Sequence, residues 1–178
     1  PMQIVLNDVT YNDLSDDLPI TKYYQQMRDG ATPTTAQINE YSARKYFEKL
    51  LECNEDILHI GFSSALSGST FTLQRVANEL NETHKNKLYV IDSLNASMGE
   101  GLLVLHAYDM KKEGKNITEI VENLEQLKGK CCAYFTVEQL KYLVRGGRVS
   151  KFSGVVGSLL NIKPILRVDD EGRLVAYK

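Results

Sequence analysis

The chain has 178 residues, a length that suits one domain or a domain with a small appendage. Hydrophobic residues make up 43% and charged residues 25% of it, as in ordinary globular proteins, which excludes an intrinsically disordered chain. The net charge of −2 gives no support to nucleic-acid binding, and no apolar run approaches the roughly 18 residues of a membrane-spanning helix, so neither kind of association is expected.

The N-terminal third of the chain has a mixed pattern. We predict a strand over residues 1–10, a helix over 20–30 that ends at a glycine, and a turn with a helix cap at "ATPTTAQ" (31–37). Apolar side chains at helical spacing then predict a helix over 40–52.

Strand-like and helix-like segments alternate from residue 56 onward. This alternation predicts an α/β fold with a mostly parallel sheet and helices on both of its faces. One of the helices has Asn116 or Thr118 as its N-cap. The predicted strands cover 56–62, 87–93 and 131–137, the predicted helices cover 70–81, 98–114, 116–129, 138–147 and 150–161, and a C-terminal hairpin turns at 169–172.

Two loops rich in serine, asparagine and glycine follow consecutive predicted strands. "SSALSGS" (63–69) follows the strand over 56–62, and "DSLNASMG" (92–99) ends and follows the strand over 87–93. Ligands of open α/β sheets bind outside the carboxyl ends of the strands. We therefore expect both loops to lie at one edge of the sheet and to form a binding site there.

The stretch "GFSSA" (61–65) nearly matches the G-x-S-x-G turn that presents a nucleophilic serine. Such a serine needs a histidine base, and the candidates are poorly placed. His84 lies in a polar connection at the far end of the sheet, His106 lies in the middle of a helix, and His59 lies inside a buried strand. A serine esterase that uses Ser63 is therefore the alternative interpretation and not the preferred one.

Anion binding is the second interpretation of the same loop. Backbone N–H groups at a helix start, with hydroxyls beside them, bind a carboxylate or phosphate, although this loop lacks the lysine of a nucleotide-binding P-loop. We predict that Ser67 or Ser69 caps the next helix and that Gly68 is a turn residue. One cap does not explain so many hydroxyls, so we expect Ser63 or Ser64 to contact a ligand.

Metal and redox chemistry are not indicated. The acidic cluster of Asp13, Asp16 and Asp17 has no histidine and no loop-ligand spacing, which is typical of a solvated surface. The three cysteines form no CxxC pair, and the adjacent Cys131 and Cys132 would point to opposite faces of a strand. We therefore predict reduced thiols, a cytoplasmic protein, no bound metal and no cofactor.

Four segments in this order identify a known family. "PTTAQ" (33–37), "GFSSALSGS" (61–69), "VIDSLNASMGEGLLV" (90–104) and "YLVRGGRVSKFSGVVGSLLNIKPIL" (142–166) together resemble the DegV family of bacterial fatty-acid-binding proteins, which includes the acyl-carrying B subunit of fatty-acid kinase. The resemblance implies two α/β domains with a fatty acid buried between them. Residues 1–137 are then a lipid-binding domain, and 138–178 lead into a second domain.

The resemblance also implies the roles of individual residues. The carboxylate of a long-chain fatty acid is held by the hydroxyls of Thr35 and Ser64, with Ser63 beside them, and the acyl chain lies in an apolar tunnel. The glycine–glycine–arginine motif that engages the kinase and the head group matches Gly146, Gly147 and Arg148. The chain is then a lipid carrier with no catalytic residue, and phosphate transfer belongs to the partner kinase.

The chain departs from the family pattern in two ways. Ala36, Ile38 and Ser69 replace the common serine, proline and threonine, and none of these changes removes a proposed carboxylate hydroxyl. The family's N-terminal strand and C-terminal part are absent from the sequence, so we expect a fragment with an open tunnel. The glycine- and leucine-rich segment 154–166 fits either close helix packing or a tunnel wall, and a DegV-like protein with an occluded pocket and a regulatory role is a further alternative.

Overall fold

The computed structural model describes residues 2–12, 18–148 and 163–177. The predicted helix over 150–161 and the acidic cluster at 13–17 lie outside these ranges. The elements in chain order are β1 (Gln3–Leu6), β2 (Val9–Asn12), α1 (Ile20–Arg28), β3 (Thr34–Ala36), α2 (Glu40–Leu51), β4 (Ile57–Gly61), α3 (Ser69–Thr83), β5 (Leu88–Asp92), α4 (Ser97–Lys112), α5 (Ile117–Leu127), β6 (Tyr134–Phe135), α6 (Lys141–Arg145), β7 (Leu166–Val168) and β8 (Leu174–Ala176).

The strands form three small sheets. β4 and β5 pair in parallel through the α3 crossover, with Ile57 opposite Leu88, whereas the orders β2-β1-β3 and β6-β7-β8 are antiparallel throughout. The predicted α/β fold class is confirmed. Within the described residues, however, parallel pairing is confined to β4 and β5, which are joined by the α3 crossover. The short hairpin connections of β1–β2 and β7–β8 force antiparallel pairs.

Helices cover both faces of the β4–β5 pair, as predicted. Ile57 packs against the cluster formed by α2 and α3, in which Phe47 and Val76 are completely buried. Leu58 and Ile60 pack instead against α4 and α5. Neighbouring residues of a strand point to opposite faces, so one apolar strand serves two cores. Each fully buried side chain of this kind contributes about 1.5–3 kcal/mol.

The N-terminal segment is a hairpin and not the single strand predicted over 1–10. Asn7 and Asp8 have φ angles of 50° and 62°, and Leu6 lies opposite Val9. Two consecutive residues with positive φ form the type I′ turn that suits the twist of a two-residue hairpin, and asparagine and aspartate tolerate that conformation. The dipeptide was therefore a turn signal inside an otherwise strand-like run.

The predicted turn and cap at 31–37 is also wrong. Residues 34–36 form β3, whose partner is β1, with Thr35 opposite Ile4. The helix α2 is capped further on by Asn39, whose side chain accepts a hydrogen bond from the Ser42 amide at 2.8 Å. At α5, the predicted cap Asn116 is confirmed, since it forms a reciprocal capping box with Glu119.

The third sheet lies against the loop that follows β4. Leu66 of that loop is buried in one cluster with Leu140, Leu166 and Leu174, so the β7–β8 hairpin is packed onto the loop by apolar contact. The predicted division of the chain after residue 137 stays a prediction, and β6 and β7 pair across it. None of the helices within the described ranges has both the length and the apolar character that a bilayer span requires.

Candidate functional site

The loops after β4 and β5 are joined by backbone hydrogen bonds. The Ser93 amide donates to Gly61 O at 3.1 Å, and the Ser63 amide donates to Asn95 O at 2.8 Å. Parallel pairing of β4 with β5 brings the carboxyl ends of both strands to the same edge. The predicted meeting of the two loops is thus confirmed.

Asp92 holds the two loops together. Its Oδ1 accepts hydrogen bonds from the Ser64 amide at 3.2 Å and from the Leu94 amide at 3.0 Å. Ser93 and Asn95 are buried and hydrogen-bond each other within the second loop. The Asp92 and Ser93 side chains therefore bind backbone groups of these loops, so these contacts stabilise the loops themselves.

Ser63 is completely buried and binds the distant hairpin. Its hydroxyl donates to Gly172 O at 2.8 Å and accepts from the Ala65 amide at 3.3 Å. Gly172 has a φ of +78°, and a Cβ atom at this position would overlap Ser63 Oγ and lie 3.2 Å from Leu94 Cα. The hairpin turn is therefore seated directly on the serine.

The esterase alternative gains no support from this geometry. None of the hydrogen bonds that Ser63 makes within the described residues goes to a histidine, and all three histidines lie in those ranges. His84 Nδ1 lies 3.0 Å from Leu80 O, and His106 Nε2 lies 3.0 Å from Asn123 Oδ1. His59 packs edge-on against Phe47, and burial lowers its pKa. Ser63 therefore has no histidine base among the described residues.

The predicted helix cap at Ser67 or Ser69 is wrong. The N-cap of α3 is Gly68, without a side-chain cap. Ser67 Oγ instead accepts from the Ser69 amide at 3.3 Å, and Ser69 Oγ accepts from the Ile38 amide at 3.2 Å. A serine that binds the chain around residue 38 helps to dock the β3 segment beside the loop, which is a tertiary role and not a local one.

Ser64 differs from Ser63 in facing open space. It is half-buried, and its hydroxyl makes no hydrogen bond within the described residues. It lines a cavity of about 340 Å³, which we call the loop cavity. The walls of the loop cavity are residues 64–68, Gly147, Arg148, Arg173 and Leu174.

The glycine–glycine–arginine motif reaches the same cavity. Gly147 has a φ of 71°, a left-handed turn that follows α6 and returns the chain towards the loop. Arg148 Nε then donates to Leu66 O at 3.0 Å, and Nη1 donates to Gly146 O. Of the predicted head-group residues, Gly147 and Arg148 thus line the loop cavity with Ser64, whereas Gly146 does not.

Thr35 is not part of the wall of the loop cavity. It is exposed on β3, and the chain just after it contacts the loop, since the Gln37 side chain fills the space above Gly68 and Ile38 binds Ser69. Segments 35–38 and 64–69 therefore meet, although the Thr35 and Ser64 side chains do not line one cavity.

Sequence reasoning missed two charged residues of this site. Asp92 occupies the carboxyl end of β5, where a polar residue after an apolar strand is a signal for loop or ligand binding. Arg173 lies in the hairpin turn, a place where charged residues are ordinary, so its pattern carries no signal. Within the described residues, no group of three potential metal ligands is found.

The model of the DegV protein family matches residues 1–178. The chain belongs to the DegV family. A DegV domain-containing protein of Clostridium perfringens is 40% identical over 164 residues, which are 92% of this chain and 56% of that protein. The chain thus spans a little over half the length of this relative.

Solved DegV structures share the fold. A DegV family protein of Thermus thermophilus, described for its fatty-acid binding, is 30% identical with a TM-score of 0.83, and the match covers 100% of this chain and 62% of that one. DegV of Bacillus subtilis, described as a fatty-acid-binding protein, is 29% identical with a TM-score of 0.81 over 100% of this chain and 62% of that one.

Proposed function

We propose that this DegV protein binds a long-chain fatty acid and carries it without transforming it. The hydroxyls of Thr35 and Ser64 hold the carboxylate, Ser63 lies beside Ser64 and stabilises its loop, and the acyl chain lies in an apolar tunnel. The observation that carries the proposal is the loop cavity, in which the Ser64 hydroxyl, unpaired among the described residues, lies with Arg148. The fatty-acid binding described for the related DegV structures supports the choice of ligand.

The acyl chain supplies most of the affinity in this proposal. About 14 methylenes at roughly 0.8 kcal/mol each give about 11 kcal/mol of gross burial energy. Part of this is offset by the lost freedom of the ligand. The carboxylate must find hydrogen-bond donors when it leaves water, or its pKa rises and it takes up a proton. The Ser64 hydroxyl, which lines the loop cavity, is a suitable donor.

The bound acid is presented to a partner kinase in the second part of the proposal. A carboxylate oxygen attacks the terminal phosphorus of ATP held by the kinase, ADP leaves, and an acyl phosphate remains on the carrier. Gly146 and Gly147 shape the turn that holds Arg148 at the cavity mouth. An Arg148→Ala protein should keep its lipid and lose acyl-phosphate formation with a fatty-acid kinase, measured as hydroxylamine-trapped product.

Mass spectrometry of lipid extracted from the full-length protein tests the binding proposal. We expect about one fatty acid per protein, and a Thr35→Ala/Ser64→Ala protein should retain much less. Thr34→Ala is the matched control, because Thr34 is an exposed neighbour on the opposite face of β3. An empty extract from the unaltered protein would remove the proposal and favour the occluded, regulatory alternative.

A further inference from the structure

The backbone amides of the loop after β4 are hydrogen-bonded within the protein. The amides of residues 65–67 donate to Ser63, to its hydroxyl or its carbonyl oxygen, and the Ser63 amide donates to Asn95 O. The Ser64 amide differs, because its acceptor is a side chain from outside the loop, Asp92 Oδ1, at 3.2 Å. The backbone of Ser64 is therefore held by a carboxylate of the neighbouring strand.

Asp92 reaches both loops from the carboxyl end of β5. It lies opposite Gly61, the last residue of β4, and the oxygen that accepts the Ser64 amide also accepts the Leu94 amide at 3.0 Å. Leu94 has a φ of 52°, an uncommon conformation for leucine, and this hydrogen bond stabilises it. Asp92 is not part of the wall of the loop cavity, so its effect on a ligand there must pass through the residues that it holds.

Ser64 is the residue through which Asp92 can act on a ligand. Its side chain lines the loop cavity, and its hydroxyl makes no hydrogen bond within the described residues. A serine hydroxyl occupies one of three staggered positions relative to its own backbone. Holding the Ser64 backbone therefore limits where the hydroxyl can point.

We propose that Asp92 is a positioning residue for the fatty-acid head group, because it holds the Ser64 backbone so that the hydroxyl faces the carboxylate in the loop cavity. This inference rests on the proposed function, in which Ser64 contacts that carboxylate. A donor that is already ordered in the free protein binds more tightly, since less freedom is lost on binding. Aspartate has the same charge as the ligand, so the gain comes through Ser64 and not from attraction between Asp92 and the ligand.

The test is a double-mutant cycle on the full-length protein stripped of lipid, with palmitate as the ligand. Asp92→Ala should weaken palmitate binding roughly tenfold, the effect of losing one hydrogen bond to a charged group. In a Ser64→Ala protein, the further change Asp92→Ala should cause no additional loss, because the residue through which Asp92 acts is gone. Asp92→Asn should bind palmitate as the unaltered protein does, since its amide oxygen can accept the same two hydrogen bonds.

Asp56→Ala is the matched control. Asp56 lies just before β4, at the opposite end of the strand pair, where its Oδ1 accepts the Lys87 amide at 2.8 Å. The substitution breaks a carboxylate–amide hydrogen bond of the same kind at the end of the sheet away from the loop cavity. Palmitate binding by the Asp56→Ala protein should therefore not change.

The possible results separate the role of Asp92 from lipid binding itself. An Asp92→Ala protein that binds palmitate normally would overturn the role given to Asp92. The same role would be overturned by an equal loss from Asp92→Ala with and without Ser64, or by an Asp92→Asn protein that binds as weakly as Asp92→Ala. Each of these results would leave lipid binding intact. If the unaltered protein binds no palmitate, the proposed function is wrong, and the role of Asp92 with it.

Discussion

The β4–β5 unit and the β7–β8 hairpin contribute different chemistry to one site. The loops of the β4–β5 unit supply small polar residues, of which Ser63, Ser93 and Asn95 are buried and hydrogen-bonded within the protein. The hairpin supplies a turn that rests on Ser63 and an arginine that lines the loop cavity. The comparison teaches that a hydroxyl beside a cavity can be structural, while a charged residue of the cavity wall can come from a segment that looks like an ordinary turn.

Breaking the junction between the two regions should have the largest effect. Gly172→Ala adds a methyl group against Ser63 Oγ and forces alanine into a left-handed conformation. We expect a loss of about 2–4 kcal/mol in the free energy of unfolding, measured by urea denaturation.

Gly114→Ala is the matched control for this change. Gly114 also has a positive φ, +84°, but nothing lies within 4 Å of its added methyl group. The Gly114→Ala protein should lose only about 1 kcal/mol in the free energy of unfolding, because its only cost is that of an alanine in a left-handed conformation. Equal losses at the two positions would mean that the hairpin is not seated on Ser63 as described.

Removing one hydroxyl at a time should separate the two adjacent serines. Ser63→Ala leaves the buried Gly172 carbonyl without its donor and should lower stability by about 1–3 kcal/mol. Ser64→Ala removes a hydroxyl without a partner and should change stability by less than about 0.5 kcal/mol. Thermal or urea denaturation of both variants measures this difference. A reversed order of stability would contradict the structural role of Ser63.

Replacing Asp92 should lower stability by a smaller amount and should affect only the loops of the β4–β5 unit. Asp92→Ala removes the acceptor of two loop amides and should cost about 1–2 kcal/mol. Amide hydrogen exchange should accelerate at Ser64 and Leu94, with the amides of the β7–β8 ladder much less affected. Asp109→Ala, on the exposed side of α4, is the control. Unchanged exchange at Ser64 would show that Asp92 does not hold the loop.

The smallest expected effect is the pH dependence of the core behind the site. Burial lowers the pKa of His59 below its ordinary value of 6.5, so the unfolded chain takes up a proton at a higher pH than the folded protein does. Below pH 6.5 the unfolded state therefore holds more protons, and the free energy of unfolding falls as the pH falls. Above that pH the His59 contribution is fully present.

Urea denaturation between pH 7.5 and 5.5 measures this contribution. His59→Leu should flatten the pH dependence in that window, because the group that takes up the proton is gone. His106→Leu, which removes a histidine bound to Asn123 between α4 and α5, is the control. The same slope in the His59→Leu protein and the unaltered protein would contradict the argument from burial.

The parts of the fold that sequence predicted are those with local or periodic signals. The helices and the parallel strand pair were predicted from the spacing of apolar residues, and the N-cap Asn116 was predicted from the residue types that cap helices. The strand β3 was missed because its stability comes from pairing with β1, some thirty residues away, and not from its own sequence. The turn at Asn7 and Asp8 was missed although its residues carried a recognisable signal.

For the candidate site, too, local signals were predictable from the sequence and long-range contacts were not. The meeting of two polar loops follows from the strand–helix alternation, and the family resemblance brought Arg148 into the argument. Which serine faces the cavity could not be read from "SSALSGS", because Ser63 is buried only through contact with Gly172, 109 residues later. The position of Arg173 in the cavity wall could not be predicted either, because it depends on where the β7–β8 turn contacts the loop.

The 109-residue separation of Ser63 and Gly172 also sets an order of assembly. At about 5–20 residues per second, the ribosome needs roughly 5–20 seconds after making Ser63 to make its partner carbonyl. The β4–β5 core has its own apolar clusters and can form during that interval, while the buried serine waits with an unpaired hydroxyl. The wall of the loop cavity is therefore completed late in synthesis, at a point when the β4–β5 core can already have formed.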